Sequence, residues 1–186
     1  MPPAVMAAAE GAARPRAAHS LYAASRPDWR FLLRSPLHFI ALGFGSGLPR
    51  FAPGTWGTVF GWISFVVLDR WVDDPGWALI IAVSCLVGAF AAHRTGIRLG
   101  VIDSSHIVID EIVAFWLVLW LLPARASHWL EAGAFVLFRV FDITKPAPIR
   151  RLDARIKNGF GVMLDDLVAA FYTLLVIAIY WRLTRG

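Results

Sequence analysis

The sequence predicts an all-α membrane protein, a polytopic helical bundle with about five apolar helices and polar cytoplasmic loops that carry the functional site. Of the 186 residues, 58% are hydrophobic and only 17% are charged, and the mean hydropathy is +0.62. The apolar residues also occur in long blocks, whereas a soluble domain of this length carries more charge and spreads them amphipathically. Several of the nine Trp residues lie near the ends of these blocks, where an indole ring prefers the lipid headgroup region.

The N-terminal segment differs in composition from the rest of the chain. Residues 1–35 are rich in Ala, Pro and Arg and contain no apolar stretch of signal-peptide length. This composition predicts a disordered basic tail whose arginines lie near anionic headgroups. The membrane-embedded domain is expected to comprise residues 36–186.

Five apolar runs follow in order along this domain. Residues 51–68 and 75–92 each contain no Asp, Glu, Lys or Arg, and each is long enough to cross the bilayer as a helix. The runs at 112–124 and 167–181 are shorter. Residues 126–138 are ambiguous because Glu131 interrupts them.

The positions of Lys and Arg favour five crossings over four. With five crossings, thirteen of these residues lie on one side and four on the other, so the positive-inside rule assigns the first group to the cytoplasm. If residues 126–138 do not cross, the division becomes eight against nine. We therefore expect a multi-pass protein of the bacterial inner membrane whose loops at 93–106 and 142–165 face the cytoplasm.

Carboxylates concentrate in and beside these two loops. They are Asp103, Asp110, Glu111, Asp142, Asp153, Asp165 and Asp166, of which Asp153 is interpreted as an ordinary partner of Arg150 or Arg155. Clustered carboxylates repel one another unless a cation neutralises them, and an all-oxygen set fits Mg²⁺ better than zinc. Asp103 and Asp110 are seven residues apart and would share one face of a continuous helix. A structural alternative for Asp165 and Asp166 is that they open the next helix, where its dipole favours negative charge.

Basic residues accompany the acids. The stretch "GFGSGLPRFAPGTWGT", residues 43–58, is rich in glycine and contains Arg50, which suits close approach to a phosphate, although a turn of small residues would have the same composition. The stretch "FRVFDITKPAPIRRLDAR", residues 138–155, adds Lys145 and Arg150, and its prolines restrict the loop. Together with the acids, these residues predict a site for a metal and a phosphate.

Four segments in order, "GSGLPRFAPGTWGT", "IVIDEIV", "FRVFDITKPAPIRRLD" and "GVMLDD", resemble the phosphatidylglycerophosphatase A family over about residues 42–172. The resemblance implies an all-helical, Mg²⁺-dependent lipid phosphatase of phospholipid biosynthesis in the inner membrane. Its substrate would be phosphatidylglycerophosphate, and its products phosphatidylglycerol and phosphate. Ala114 and Ala170 stand where the family usually has glycine, which bears on helix packing more than on chemistry.

The resemblance and the residue pattern suggest the same roles. Asp110, Glu111, Asp165 and Asp166 are the candidate catalytic residues, and together with Asp103 and Asp142 they are the candidate Mg²⁺ ligands. Arg50, Lys145 and Arg150 are the candidate phosphate-binding residues. His106 is a minor candidate for proton relay, and Arg139 could pair with Asp142.

Three other classes of protein remain open at the level of sequence. A CDP-alcohol phosphatidyltransferase is another small membrane enzyme with metal-binding aspartates, and "LDARIKNGFGVMLDD" partly matches its pattern. The chain lacks, however, the Asp-Gly pair before Ala-Arg and the later spacing of two further aspartates. A transporter would carry intramembrane acids, although here they gather at one membrane face. A structural membrane subunit would leave the acids unexplained. Nothing in the sequence indicates a nucleic-acid partner.

Overall fold

A computed structural model describes residues 26–123, 126–147 and 158–185 of the chain. Its elements in order are α1 (Trp29–Leu33), α2 (Pro36–Ala41), a 3-10 turn (Gly43–Gly45), α3 (Pro53–Leu68), α4 (Asp74–Leu99), α5 (Ile109–Trp120), α6 (His128–Thr144) and α7 (Gly159–Arg185). Within the described ranges there is no β-strand, so the predicted all-α class is confirmed for that part of the chain.

Helix α5 forms the centre of the bundle. Every side chain from Ile109 to Trp116 is buried, and the helix contacts α3, α4, α6 and α7. Its 12 residues span about 18 Å, which is short of the ~30 Å hydrocarbon core. The predicted run 112–124 therefore forms a short core helix that is surrounded by other helices.

Two helices are long and apolar enough to cross a membrane. They are α4 and residues Gly159–Thr184 of α7, each with 26 residues, and α3 is a shorter apolar helix. We expected about five crossings. Among the described residues, length and composition support a crossing for these two helices. Residues 126–138 do lie mostly within α6, but whether α6 crosses stays a prediction.

Glu131, the residue that made the fifth run ambiguous, has polar partners inside the bundle. Its Oε2 accepts a hydrogen bond from Trp62 Nε1 at 2.8 Å. Similar pairs join Trp77 Nε1 to Asp69 at 2.9 Å and Trp120 Nε1 to Asp74 at 3.2 Å. These indole donors satisfy carboxylates at one end of the bundle, where α5 ends and α6 begins.

The helix starts correct two expectations about the acids. Asn158 caps α7, since its Oδ1 accepts hydrogen bonds from the N–H groups of Phe160 and Gly161 at 3.0 Å. Asp165 and Asp166 thus lie beyond the first turn, and the idea that they open the helix is wrong. Asp103 precedes α5 in an irregular segment, so no continuous helix aligns it with Asp110.

Most of the predicted tail, residues 1–35, lies outside the described residues. Within its last ten residues, however, a short helix forms. The side chain of Asp28 caps α1 by accepting from Phe31 N–H at 2.7 Å, and the Phe31 ring stacks on His38 of α2. Helical structure therefore begins before residue 36.

Candidate metal and phosphate site

A cavity of about 330 Å³ lies at the end of the bundle opposite the three indole–carboxylate pairs. It is enclosed by the segment before α5, the first turn of α5, the end of α6 and the N-terminal part of α7. Its lining includes all six predicted metal ligands and Lys145; the remaining lining residues are Ser104, Ser105, Ile107, Ile143 and Val162. The structure thus brings together residues that are up to 63 positions apart in sequence, from Asp103 to Asp166.

Three of these carboxylates form a compact buried cluster. One oxygen each of Asp110, Glu111 and Asp166 lies within 4.8 Å of the others, and all three residues are less than 10% exposed. Within the described residues, Asp110 Oδ1, Glu111 Oε2 and Asp166 Oδ2 have no hydrogen-bond donor. Buried acceptors of this kind are rarely left unsatisfied, so the cluster is suited to hold a hard cation.

The electrostatics at the start of α5 support this conclusion. Burial raises the pKa of Asp110 well above its usual range, and the Glu111 and Asp142 carboxylates raise it further. Burial also raises the pKa of Glu111 to about 8, with the charge of Asp166 adding to the effect. Without a cation the cluster would therefore retain protons, and a bound divalent ion would stabilise the ionised forms.

Arg139 is a site residue that the sequence did not place among the candidates. Its Nη1 lies 2.6 Å from Asp142 Oδ2 and 3.6 Å from Glu111 Oε1, and it donates to Thr58 Oγ1 at 3.4 Å. The pairing of Arg139 with Asp142 is thus confirmed. An arginine within an otherwise apolar helical run was the signal that could have identified it.

Lys145 also lines the cavity, where it contacts α7. It ends α6 in a left-handed conformation, with φ 41°, and its Nζ donates to Asp165 Oδ2 at 3.2 Å. Its side chain is only partly buried. The ammonium group therefore lies beside the carboxylates of the cavity and keeps contact with solvent.

The glycines of residues 43–58 serve close packing onto α5 and the segment before it. A Cβ on Gly54 would overlap Glu111 Oε1 and come within 3.0 Å of Arg139 Nη2. A Cβ on Gly57 would lie 2.6 Å from Val108, and one on Gly47 would overlap the His106 carbonyl oxygen. These glycines let the stretch pack closely against α5 and the segment before it. The alternative of a turn of small residues applies to the part before α3, whereas residues 53–58 are the first turns of that helix.

Other predicted residues lie apart from the cluster. Arg50 is exposed before α3 and is not among the described residues that line the cavity. Asp103 lines the cavity but is exposed, and Arg150 lies outside the described residues. His106 Nδ1 is 2.7 Å from the Gly47 carbonyl oxygen, a contact that joins its loop to the glycine-rich stretch. Ala114 and Ala170 are completely buried, as expected for residues at tight helix contacts.

Comparisons with a family model and with named relatives give the same description. The family model described as Phosphatidylglycerophosphatase A matches residues 39–181. A relative from Haemophilus influenzae named Phosphatidylglycerophosphatase A is 42% identical, with 86% of this chain and 98% of the relative covered. A protein of the same name from Escherichia coli is 38% identical, with 75% of this chain and 80% of the relative covered.

A third relative has a different name. It is a putative phosphatidylinositol-3-phosphatase from Bacteroides thetaiotaomicron, 37% identical, with 75% of this chain and 90% of the relative covered. No solved structure matches the chain at a significant level. All three names refer to phosphatases of phosphorylated lipids.

Proposed function

This chain belongs to the phosphatidylglycerophosphatase A family, and from that membership we propose that it hydrolyses phosphatidylglycerophosphate to phosphatidylglycerol and phosphate. It is accordingly a phosphoric monoester hydrolase. The reaction would serve phospholipid biosynthesis in the bacterial inner membrane. The cofactor that the site fits best is Mg²⁺.

The observation that carries the cofactor assignment is the buried cluster of Asp110, Glu111 and Asp166. It offers only oxygen ligands, and each residue has an acceptor without a donor in the described part of the chain. Among the described residues, two basic side chains accompany the six carboxylates of the cavity: Lys145, which lines it, and Arg139, which pairs with Asp142. The excess of negative charge would be neutralised by one or two divalent cations.

The protein residues have distinct roles in this proposal. Asp110, Glu111 and Asp166 would hold the cation, with Asp142, Asp165 and Asp103 available as further ligands. The bound cation would supply charge neutralisation and Lewis-acid polarisation of the phosphoryl group. Lys145 would donate to a phosphate oxygen while it stays beside Asp165, and Arg150 and Arg50 remain candidates for the same task. Arg139 would hold Glu111 and Asp142 in position.

The location of the site fits a lipid substrate. The cavity lies at one end of the bundle, near the C-terminal end of α4, and residues of the N-terminal part of α7 line it. These two helices are the candidate membrane spans. A phosphate at this level would leave the acyl chains of its lipid in the bilayer. We propose that this end faces the cytoplasm, in accordance with the positive-inside distribution.

A metal-exchange experiment tests the proposal. Purified full-length protein in detergent should release phosphate from phosphatidylglycerophosphate, lose this activity in EDTA, and regain it with Mg²⁺ better than with Zn²⁺, because the proposed ligands are all oxygens. The measurement is phosphate release at each metal concentration. Full activity in chelator would refute the role of the carboxylate cluster.

Substrate comparison then separates the remaining functions. Phosphatidylinositol 3-phosphate and phosphatidic acid should be assayed in parallel, because one relative is named for a different phosphorylated lipid. We expect phosphatidylglycerophosphate to be the best substrate. Product formation only in the presence of a CDP-linked lipid would instead indicate a phosphatidyltransferase.

A further inference from the structure

A second cavity, of about 890 Å³, lies between the α1–α2 pair and the C-terminal part of α4, outside the acidic site. Its polar lining includes three arginines, Arg34, Arg94 and Arg98. Among the described residues, no carboxylate contributes to the lining. Since none of the roles proposed above uses this cavity, its charge calls for a separate explanation.

The three arginines lack an acidic partner among the described residues. None of the ion pairs found between residues of the described ranges involves them. Arg94 and Arg98 are four residues apart on α4, so two like charges share one helix face, which is unfavourable. An anion between these guanidinium groups and Arg34 would relieve the repulsion.

Specific contacts fix the walls of the cavity. Thr95 Oγ1 donates to the Leu37 carbonyl oxygen at 3.5 Å and joins α2 to α4. The Phe31 and His38 rings stack with centroids 4.1 Å apart, and His38 Nδ1 lies 3.0 Å from the Phe31 carbonyl oxygen. The cavity is therefore formed by packed elements and does not depend on a single surface loop.

The apolar part of the lining indicates what kind of anion fits. Phe90 and Ile97 of α4 line the cavity beside the arginines, and both are more than half exposed. Arg94 Cζ lies 5.2 Å from the Phe90 ring centroid, in a cation–π arrangement. Phosphate-binding groups directly beside exposed apolar surface match a lipid headgroup and the first part of its acyl chains.

The position along α4 agrees with a membrane interface. Arg98 lies in the last turn of this candidate span, and Gly100 ends the helix with φ 75°. Asp103 of the acidic cavity follows three residues later. Both cavities therefore lie at the same end of α4, the level where headgroups meet the protein.

We propose that the cavity between α1–α2 and α4 binds the phosphate of an anionic membrane phospholipid through Arg34, Arg94 and Arg98. The bound lipid sits beside the acidic site without entering it. Its negative charge neutralises part of the basic end of α4, and its chains cover Phe90 and Ile97. The site does not depend on the proposed phosphatase activity.

Thermal unfolding of the purified full-length protein in a zwitterionic detergent tests this site. Added phosphatidylglycerol should raise the unfolding temperature in a saturable manner, and phosphatidylcholine should not. In the variant Arg34→Gln/Arg94→Gln/Arg98→Gln, the apparent affinity for phosphatidylglycerol should fall on the order of a hundredfold, from the contribution of three arginines at an anionic surface. Circular dichroism without lipid should show unchanged helix content.

The matched control is Arg26→Gln/Arg70→Gln/Arg182→Gln, which removes the same charge from exposed positions outside the cavity. It should respond to phosphatidylglycerol as the unmodified protein does. If phosphatidylglycerol stabilised the unmodified protein, the cavity variant and the control equally, the effect would be general attraction between a basic chain and an anionic micelle. That outcome would overturn the proposal. Equal stabilisation by inorganic phosphate at the same concentration would assign the cavity to a free anion and would also overturn it.

Discussion

At the scale of single residues, the six predicted carboxylates divide into groups with different surroundings. Asp166 belongs to the buried cluster with Asp110 and Glu111, whereas Asp165 accepts a hydrogen bond from Lys145. Asp142 pairs with Arg139, and Asp103 is exposed at the rim. Asp165 and Asp166 are adjacent in sequence but have different partners, so their substitutions should have different effects.

We expect Asp166→Asn to lower turnover at least roughly a hundredfold and Asp165→Asn about tenfold, because the first loses a direct cation ligand and the second loses a partner of Lys145. Asp166→Asn should not lower the unfolding temperature in EDTA, since an uncharged amide replaces an acid that its neighbouring carboxylates destabilise in the ionised form. Asp165→Asn should lower it slightly, because Lys145 loses its carboxylate partner. Phosphate release and thermal unfolding are the two measurements.

Asp28→Asn is a suitable control, because it is exposed on α1 and Asn caps a helix as well as Asp does. It should leave turnover unchanged. Normal turnover in both Asp165→Asn and Asp166→Asn would return these acids to a structural role in α7.

At the scale of elements, the start of α3 is held against the acidic cluster by the absence of a side chain at Gly54. A Cβ there would overlap Glu111 Oε1 and crowd the Arg139 guanidinium. Thr58, one turn later, donates to the Gly54 carbonyl oxygen at 2.9 Å and accepts from Arg139. The first turns of α3 therefore help to position the residues of α5 and α6 that form the site.

Gly54→Ala should consequently reduce turnover at saturating Mg²⁺ by roughly tenfold or more and weaken activation by Mg²⁺, because Glu111 must move. Gly133→Ala is the matched control: it lies within α6, and its Cβ would meet nothing within 4 Å. This control should keep its activity and gain about 0.5–1 kcal/mol of stability from the higher helix propensity of alanine. Equal activity of the two variants would exclude the proposed role of α3.

At the scale of the whole molecule, the site is assembled at one end of the bundle by four segments. They are the stretch after α4, the start of α5, the end of α6 and the N-terminal part of α7. The three indole–carboxylate pairs lie toward the other end. If the acidic end faces the cytoplasm and both α6 and α7 cross the membrane, as proposed, the other ends of these helices lie outside.

Single cysteines in a Cys85→Ala background test this orientation. His128, Phe160 and Leu183 are exposed positions near the start of α6, the start of α7 and the end of α7. An impermeant thiol reagent on intact cells should label His128→Cys and Leu183→Cys, and should label Phe160→Cys only after lysis. Labelling of Phe160→Cys in intact cells would contradict the proposed orientation of the site.

The sequence by itself determined the all-α class and the residue types that are available for a functional site. Uninterrupted apolar runs predict helices because the backbone N–H and C=O groups of a segment in lipid must form their hydrogen bonds within the protein, and a helix does so within the segment itself. This is a local property of the sequence. Acids and basic residues beside those runs are costly, so the stretches with Asp110, Glu111, Asp165 and Asp166 indicated a site without knowledge of the packing.

Only the tertiary structure decided which of these groups meet. Helix–helix packing placed α5 in the centre, joined Asp166 to Asp110 and Glu111, and inserted Arg139 between Glu111 and Asp142. It also left Arg50 exposed and brought the glycines of α3 into close contact with α5 and the residue before it. Contacts between helices depend on the rotation and depth of each helix in the bundle, and these are set by the combined packing of all side chains, so no local pattern in the sequence specifies them.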